Sequence, residues 1–169
     1  IKFKIVFDVG QINKIVDEEG KDLEDTRLVA FLKKAQIDYK TSSSNISMGL
    51  ISTNTYGIQE NNWGYRFIEK SAIDKNELSS TADLGVGFSR FFLDNLNMSV
   101  QVTNGEGYKK SQGDKFHKIS FNTTYGERKL NLNDGYNIGV VYSTESSDGD
   151  PKNMFSIFGG FSGSGLRIG

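Results

Sequence analysis

Polar and apolar residues alternate along this chain with a period of two. Ala82, Leu84, Val86 and Phe88 interleave with Asp83, Gly85, Gly87 and Ser89, and the next run sets Leu96, Met98, Val100 and Val102 against Asn97, Ser99, Gln101 and Thr103. Successive side chains of a strand point to opposite faces, so each run predicts a strand with one apolar and one polar side. About nine such strands are expected: 1–8, 28–39, 45–51, 81–91, 96–103, 116–125, 136–144, 154–161 and 165–169. Several approach the roughly 9–11 residues that a tilted strand needs to cross a bilayer.

The connections alternate too. Long segments at 9–27, 52–80, 104–115 and 145–153 alternate with shorter ones at 40–44, 93–95, 126–135 and 162–164, although 126–135 is not especially short. One rim of turns and one rim of loops is the arrangement of an up-and-down barrel. A Greek-key sandwich has no reason to produce it.

Alternation alone does not say which face is outside. The polar faces of the four clearest strands read Asp83, Gly85, Gly87, Ser89; Asn97, Ser99, Gln101, Thr103; Lys118, Ser120, Asn122, Thr124; and Asn137, Gly139, Val141, Ser143. Small uncharged groups dominate, whereas a water-facing sheet would carry more Lys and Glu. The apolar faces carry aromatics near strand ends: Phe88, Tyr125, Tyr136, Tyr142, Phe155 and Phe161. Aromatic girdles at two membrane interfaces would place them there. Both features favour lipid outside and water inside. Lys33 falls on the lipid parity with Phe31 and Ala35, where a lysine at the midplane would cost about 2–4 kcal/mol; a β-bulge near Leu32–Lys34 would turn it inward. Arg90 shares that parity but sits beside a turn, from which it can snorkel.

Composition excludes several classes. The net charge of -1 from 20 basic and 21 acidic residues gives no reason to expect nucleic acid. With no cysteine there is neither a disulfide scaffold nor a thiolate metal site. No apolar run approaches the roughly 18 residues of a membrane helix, which leaves a barrel open. The chain begins at Ile1, without a leader, and both ends lie in strand-like runs, so it reads as an incomplete piece of a mature barrel forming a single unit over 1–169. His117 and Ser120, three apart on one strand, point to opposite faces and make no nucleophile–base pair; His117 reads as an interfacial residue. The acidic stretch Asp17 to Asp25 and Asp148-Gly149-Asp150 lack calcium-loop spacing and read as solvated loops. Gly105-Glu106-Gly107 has no following Lys-Ser/Thr and is no phosphate loop. No cofactor, metal or catalytic residue is expected, and the chain does not read as an enzyme.

The segment 52–80 stands apart. It holds Tyr56, Trp63, Tyr65, Arg66, Phe67, Glu69 and Lys70, and loops of this length usually have a function or their own secondary structure. Two readings are open: a loop folded into the lumen that narrows the pore, with Arg66, Lys70 and Lys75 facing the channel, or a loop packed over the rim with Trp63 as its anchor.

The run Tyr56-Gly57-Ile58-Gln59-Glu60-Asn61-Asn62-Trp63-Gly64-Tyr65-Arg66-Phe67-Ile68-Glu69-Lys70 resembles the loop region of bacterial outer-membrane porins, including those of the phosphate-selective porin O/P type. Ser79-Ser80-Thr81-Ala82-Asp83-Leu84-Gly85-Val86 is similar to the strand that follows it in that group, and Val102-Thr103-Asn104-Gly105-Glu106-Gly107-Tyr108 to the next strand-to-loop junction, in the same order. The resemblance covers under a third of the chain. It implies a general or anion-preferring channel of about sixteen strands, usually trimeric. The group's ladder of lumenal arginines is not matched: lumen parity supplies Lys2, Lys4, Lys34, Lys118 and Arg167, opposed by Asp8, Asp38 and Asp83. Phosphate selectivity is therefore not expected.

The expectation is an all-β chain, part of an antiparallel up-and-down transmembrane barrel in the bacterial outer membrane. It would act as a porin for passive diffusion of small hydrophilic solutes or anions, amid outer-membrane lipid and lipopolysaccharide, as a homotrimer when full length. Arg66, Glu69, Lys70, Lys75, Lys34, Asp38, Asp83, Lys118 and Arg167 are the candidate pore-lining residues; Phe88, Tyr125, Tyr136, Tyr142 and Phe161 are the candidate interface aromatics. A complete eight-stranded structural or adhesion barrel, or a soluble ligand-binding barrel, is the alternative.

Overall fold

The computed structural model describes residues 1–11, 15–16, 22–23, 28–76, 78–109 and 113–169. In chain order its strands are β1 (Lys2–Gln11), β2 (Ile15–Val16), β3 (Asp22–Leu23), β4 (Leu28–Lys40), β5 (Ser44–Ser52), β6 (Ala82–Leu93), β7 (Leu96–Thr103), β8 (Lys118–Gly126), β9 (Gly135–Glu145), β10 (Lys152–Gly163) and β11 (Leu166–Ile168), with helices α1 (Gly57–Trp63) and α2 (Ala72–Lys75) between β5 and β6. Nine strands form one antiparallel sheet in the order β1-β4-β5-β6-β7-β8-β9-β10-β11, each beside its neighbour in sequence; β2 and β3 make a separate ribbon. Among the described residues β1 and β11 stand at the two ends of the sheet, and no pairing joins them. All nine expected strands are present, most of them longer than expected by one to three residues at an end; β8 and β11 are shorter. The acidic stretch 17–25 lies outside the described residues except for the backbone at 22–23.

Burial is inverted relative to a water-soluble sheet. The apolar face is open: Phe3 is 74% exposed, Leu84 51%, Phe121 49% and Val140 41%. On the opposite face Gln101, Asn122, Thr124 and Asn137 are buried. Polar groups lose water on folding only where partners replace it, and the segment between β5 and β6 supplies those partners by lying across the polar face. The small apolar core sits under that segment and its neighbouring turn: Ile51, Tyr56, Ile58, Ile73, Leu130 and Val141.

The bulge expected in β4 is present. Val6 pairs with Lys34 and Phe7 with Leu32, which leaves Lys33 without a cross-strand partner. One extra residue shifts the alternation, so Leu28 and Leu32 before it and Ile37 and Tyr39 after it all face the apolar side. Lys33 and Lys34 both reach the polar side, where Lys33 meets Asp8 at 3.0 Å and Lys34 donates to Ser52 Oγ at 2.7 Å. Phe31, placed by simple parity on the lipid side, is on the polar side and stacks on Tyr108, with ring centroids 6.1 Å apart. Parity counted back through the bulge inverts for it.

Deleting Lys33 should therefore restore unbroken alternation, with Leu28 and Leu32 still on the apolar face and Lys34 still on the polar one. The expected outcome is a sheet that keeps its resistance to limited proteolysis, as Lys33→Ala should; loss of that resistance on deletion alone would show that the extra residue itself is required.

Candidate functional site

The segment between β5 and β6 is closed at its base. Thr53 N–H donates to Thr81 O at 3.3 Å, the Thr53 hydroxyl donates to Ser80 O, and the hydroxyls of Thr55 and Ser79 meet. From this base the chain crosses the polar face. Asn54 is the first anchor. Its side chain donates to Ser99 Oγ at 3.1 Å and accepts from Ser120 Oγ at 2.7 Å, its N–H donates to Gln101 Oε1 at 2.8 Å, and its carbonyl accepts from Asn122 at 2.7 Å. Two buried amides, Gln101 and Asn122, and two hydroxyls, Ser99 and Ser120, thus share this one partner.

Helix α1 then runs on towards β9 and the turn 127–134. Asn62 and Asn137 exchange two side-chain bonds of 2.7 and 2.8 Å, and Asn61 donates to Arg128 O at 2.9 Å. The helix stops at Gly64, whose left-handed φ of 66° and N–H to Glu60 O form the C-cap; a side chain there would collide with Arg167. The loop then turns back through Trp63, Tyr65 and Phe67, which pack edge to face, and the Trp63 indole donates to Glu69 O at 2.8 Å. Its two arms are tied together by Arg66, which meets Glu60 at 2.8 Å and Asp74 at 2.9 Å and also bonds the Tyr56 hydroxyl; Ser71 donates to Glu60 at 2.7 Å. Burial opposes ionisation of Glu60, but the bonds from Arg66, Ser71 and Tyr56 together outweigh it and hold the carboxyl below the usual glutamate range.

The loop divides the space over the polar face. One cavity of about 730 Å³ lies between the loop and the wall of β1, β4 and β5. Lys4, Lys33, Lys34 and Lys40 from the wall, Arg66 from the loop, and Arg128 and Lys129 from the turn 127–134 line it, against the acids Asp38 and Glu60. Burial lowers the pKa of Arg128, with Glu127 opposing, and its Nε has no partner among the described residues. A second cavity of about 790 Å³ lies on the other side of the loop and is more evenly charged. A third, of about 660 Å³, sits between α2 and β10 and is mostly apolar, lined by Trp63, Ile73, Phe155 and Phe158 among others.

The candidate lining residues fall into three groups. Arg66, Lys34 and Asp38 border the first cavity; Arg66, Lys70 and Lys118 border the second. Asp38 accepts from Gln36, Asn45 and Ser47. Glu69 and Lys75, paired at 3.2 Å, border only the apolar cavity. Asp83 is buried, its carboxylate accepting from Gly105 N–H at 2.7 Å and Gly107 N–H at 3.3 Å, and Arg167 lies over the Tyr65 ring at 5.7 Å. The candidate interface aromatics Phe88, Tyr125, Tyr136, Tyr142 and Phe161 are all 41–59% exposed on the apolar face. Tyr142 pairs in register with Phe121 and Phe155, and Tyr136 with Phe161, giving two rows six residues apart on β9, about 20 Å along the strand. His117 is exposed just before β8, and Ser120 is buried against Asn54. Among the described residues no group of three His, Cys, Asp or Glu side chains could hold a metal ion.

Among the contributors missed from sequence are Asn54, Arg128 and Lys129. A lone Asn in a long loop carries no pattern. The length of the 126–135 connection was the available signal for the other two, since Leu130 anchors it inward, fully buried. Comparison with family models, curated proteins and solved structures finds no match.

Asn54→Ala should leave the Ser99 and Ser120 hydroxyls short of a partner, while the backbone bonds to Gln101 and Asn122 remain. The expected cost is about 1–3 kcal/mol of loop docking, read as faster protease cleavage within 53–81 while the sheet stays intact. Acid should act on the same loop through Glu60. Because its carboxyl is depressed in the folded state, its contribution is complete above the unfolded value of about 4.3 and is lost as pH falls through the lower folded value. Fluorescence of Trp63, the one tryptophan in the chain, should stay constant down to about pH 4 and change below it; Glu60→Gln should remove most of that transition.

Proposed function

We propose that this chain is a segment of a bacterial outer-membrane porin, a closed transmembrane barrel of about sixteen strands through which small hydrophilic solutes diffuse, with a preference for anions. One observation carries the reading: the face that bears the apolar side chains is the open one, along all nine strands, while the polar face is covered by the protein's own loop. Exposed apolar surface of that extent calls for a lipid or protein partner. A lipid annulus suits the two aromatic rows on β9 and its neighbours, whose spacing approaches the roughly 25 Å apolar band of outer-membrane barrels. A soluble ligand-binding barrel would have the apolar face inside. A complete eight-stranded barrel would fill its interior with side chains, whereas this polar face keeps two charged cavities either side of the loop.

In this reading the loop between β5 and β6 is the constriction. Nothing is transformed; the solute is filtered by width and by field. The cavity wall of lysines and arginines outnumbers its acids by seven to two, and in a narrow low-dielectric passage such an imbalance concentrates anions. Outer-membrane lipid and lipopolysaccharide surround the barrel, and the full-length protein assembles as a homotrimer.

Purified full-length protein in a planar bilayer should give stable conductance steps, and in a salt gradient its reversal potential should lie on the anion side. Lys34→Glu combined with Arg128→Glu should lower the anion-to-cation permeability ratio severalfold, most clearly below 0.1 M salt, where screening extends over more than about 10 Å. Absence of any conductance would remove the pore reading.

A further inference from the structure

The two charged cavities share three lining residues, Lys33, Arg66 and Thr81, and in the pore reading that shared boundary is the neck between them. The neck thus presents one cation from the sheet and one from the loop. Each is partly neutralised. Arg66 is held by Glu60 and Asp74 within the loop. Lys33 is paired with Asp8 at 3.0 Å, and that pairing is supported by a different part of the chain.

The support is the strap 104–109, between β7 and β8. Asp83 fastens its start through the N–H groups of Gly105 and Gly107. Gly107 has a φ of 78°, and a side chain there would strike Ser80. From that point the strap reaches past β6 and β5 to β1 and β4. There Tyr108 stacks on Phe31, donates from its hydroxyl to Asp8 Oδ2 at 3.3 Å, and lies under the Lys33 ammonium, 5.5 Å from the ring centroid. Asp8 therefore meets Lys33 and Tyr108 through one carboxylate oxygen, and its other oxygen accepts from Val9 N–H at 3.1 Å. Phe31 and Lys33 reach this junction only because the bulge puts them on the polar side together with Lys34.

The geometry points to Asp8 as the group that sets the ion preference of the neck, masking the Lys33 charge and held against it by Tyr108. This rests on the pore reading. Removal of the Asp8 charge leaves Lys33 and Arg66, which line both cavities, with a net gain of one positive charge beside them.

These 169 residues contain no cysteine; with any cysteine elsewhere in the full-length channel replaced by serine, a single one placed here can be charged at will. The full-length channel carrying Asp8→Cys should shift towards anions, with the anion-to-cation permeability ratio rising about twofold. Reaction with the anionic sulfonatoethyl methanethiosulfonate should return it to the wild-type value, and the cationic trimethylammonioethyl reagent should raise it further. A structural defect would not be reversed by one reagent and deepened by the other. Lys33→Gln should shift selectivity the opposite way, and it carries the test by itself if Asp8→Cys does not assemble. Asp114→Asn, the same change of charge in the exposed stretch before β8, should leave selectivity unchanged. A conducting channel whose reversal potential ignores both Asp8 adducts, or ignores Lys33→Gln, overturns the inference and leaves the pore reading in place; a wild-type protein that does not conduct overturns the pore reading itself.

Discussion

The need to satisfy polar groups on the covered face of the sheet organises this molecule. Strands β7, β8 and β9 send their amides and hydroxyls to the side that the loop covers, and a buried amide without a partner costs about 1–3 kcal/mol. Asn54 meets four of these needs at once on β7 and β8, and the Asn62–Asn137 pair meets the next on β9. The loop is therefore held by side-chain and backbone hydrogen bonds at named positions, with only a small apolar core beneath it. A loop fixed in this way has a defined width and a defined charge pattern, which a loop lying loosely over the rim would not.

Charge follows from the same arrangement. The part of the polar face that the loop covers is neutral, built from Asn, Gln, Ser and Thr. The lysines of β1 and β4 stand on the part it leaves open, joined by Arg66 from the loop and by Arg128 and Lys129 from the adjacent turn. Acids nearby are spent in pairs: Glu60 and Asp74 on Arg66, Asp8 on Lys33, Glu145 on Lys152. The field in the open space is set by which cations lack such a partner, and this makes the pairing of a single carboxylate such as Asp8 a means of adjusting it.

The irregularities of the sheet matter as much as its regular parts. One extra residue in β4 brings two adjacent lysines and Phe31 to the polar face, and with them the contact surface for Tyr108. An uninterrupted strand would have left Lys33 or Lys34 on the apolar side and the strap without its seat. The bulge between Phe91 and Leu93 at the far end of β6 has a local effect by comparison, leaving Phe92 unpaired next to the turn and Arg90 over its ring at 5.6 Å.

The period-two pattern determined the strands, their antiparallel order and the polar character of one face, because pleat geometry ties side-chain direction to position along the chain. It also located the bulge, since a lysine on apolar parity has few other remedies. The long aromatic segment was recognisable as special, but two placements for it were equally compatible with its residues. Only the tertiary structure decided that it crosses the polar face, that Asp83 serves the strap through backbone N–H groups, and that Glu69 and Lys75 pair beside an apolar pocket. These outcomes depend on contacts between residues far apart in sequence, such as Asn54 with Asn122 and Asp8 with Tyr108. No local spacing encodes them, because each is set by which strands happen to be neighbours and by how far a loop can reach across them.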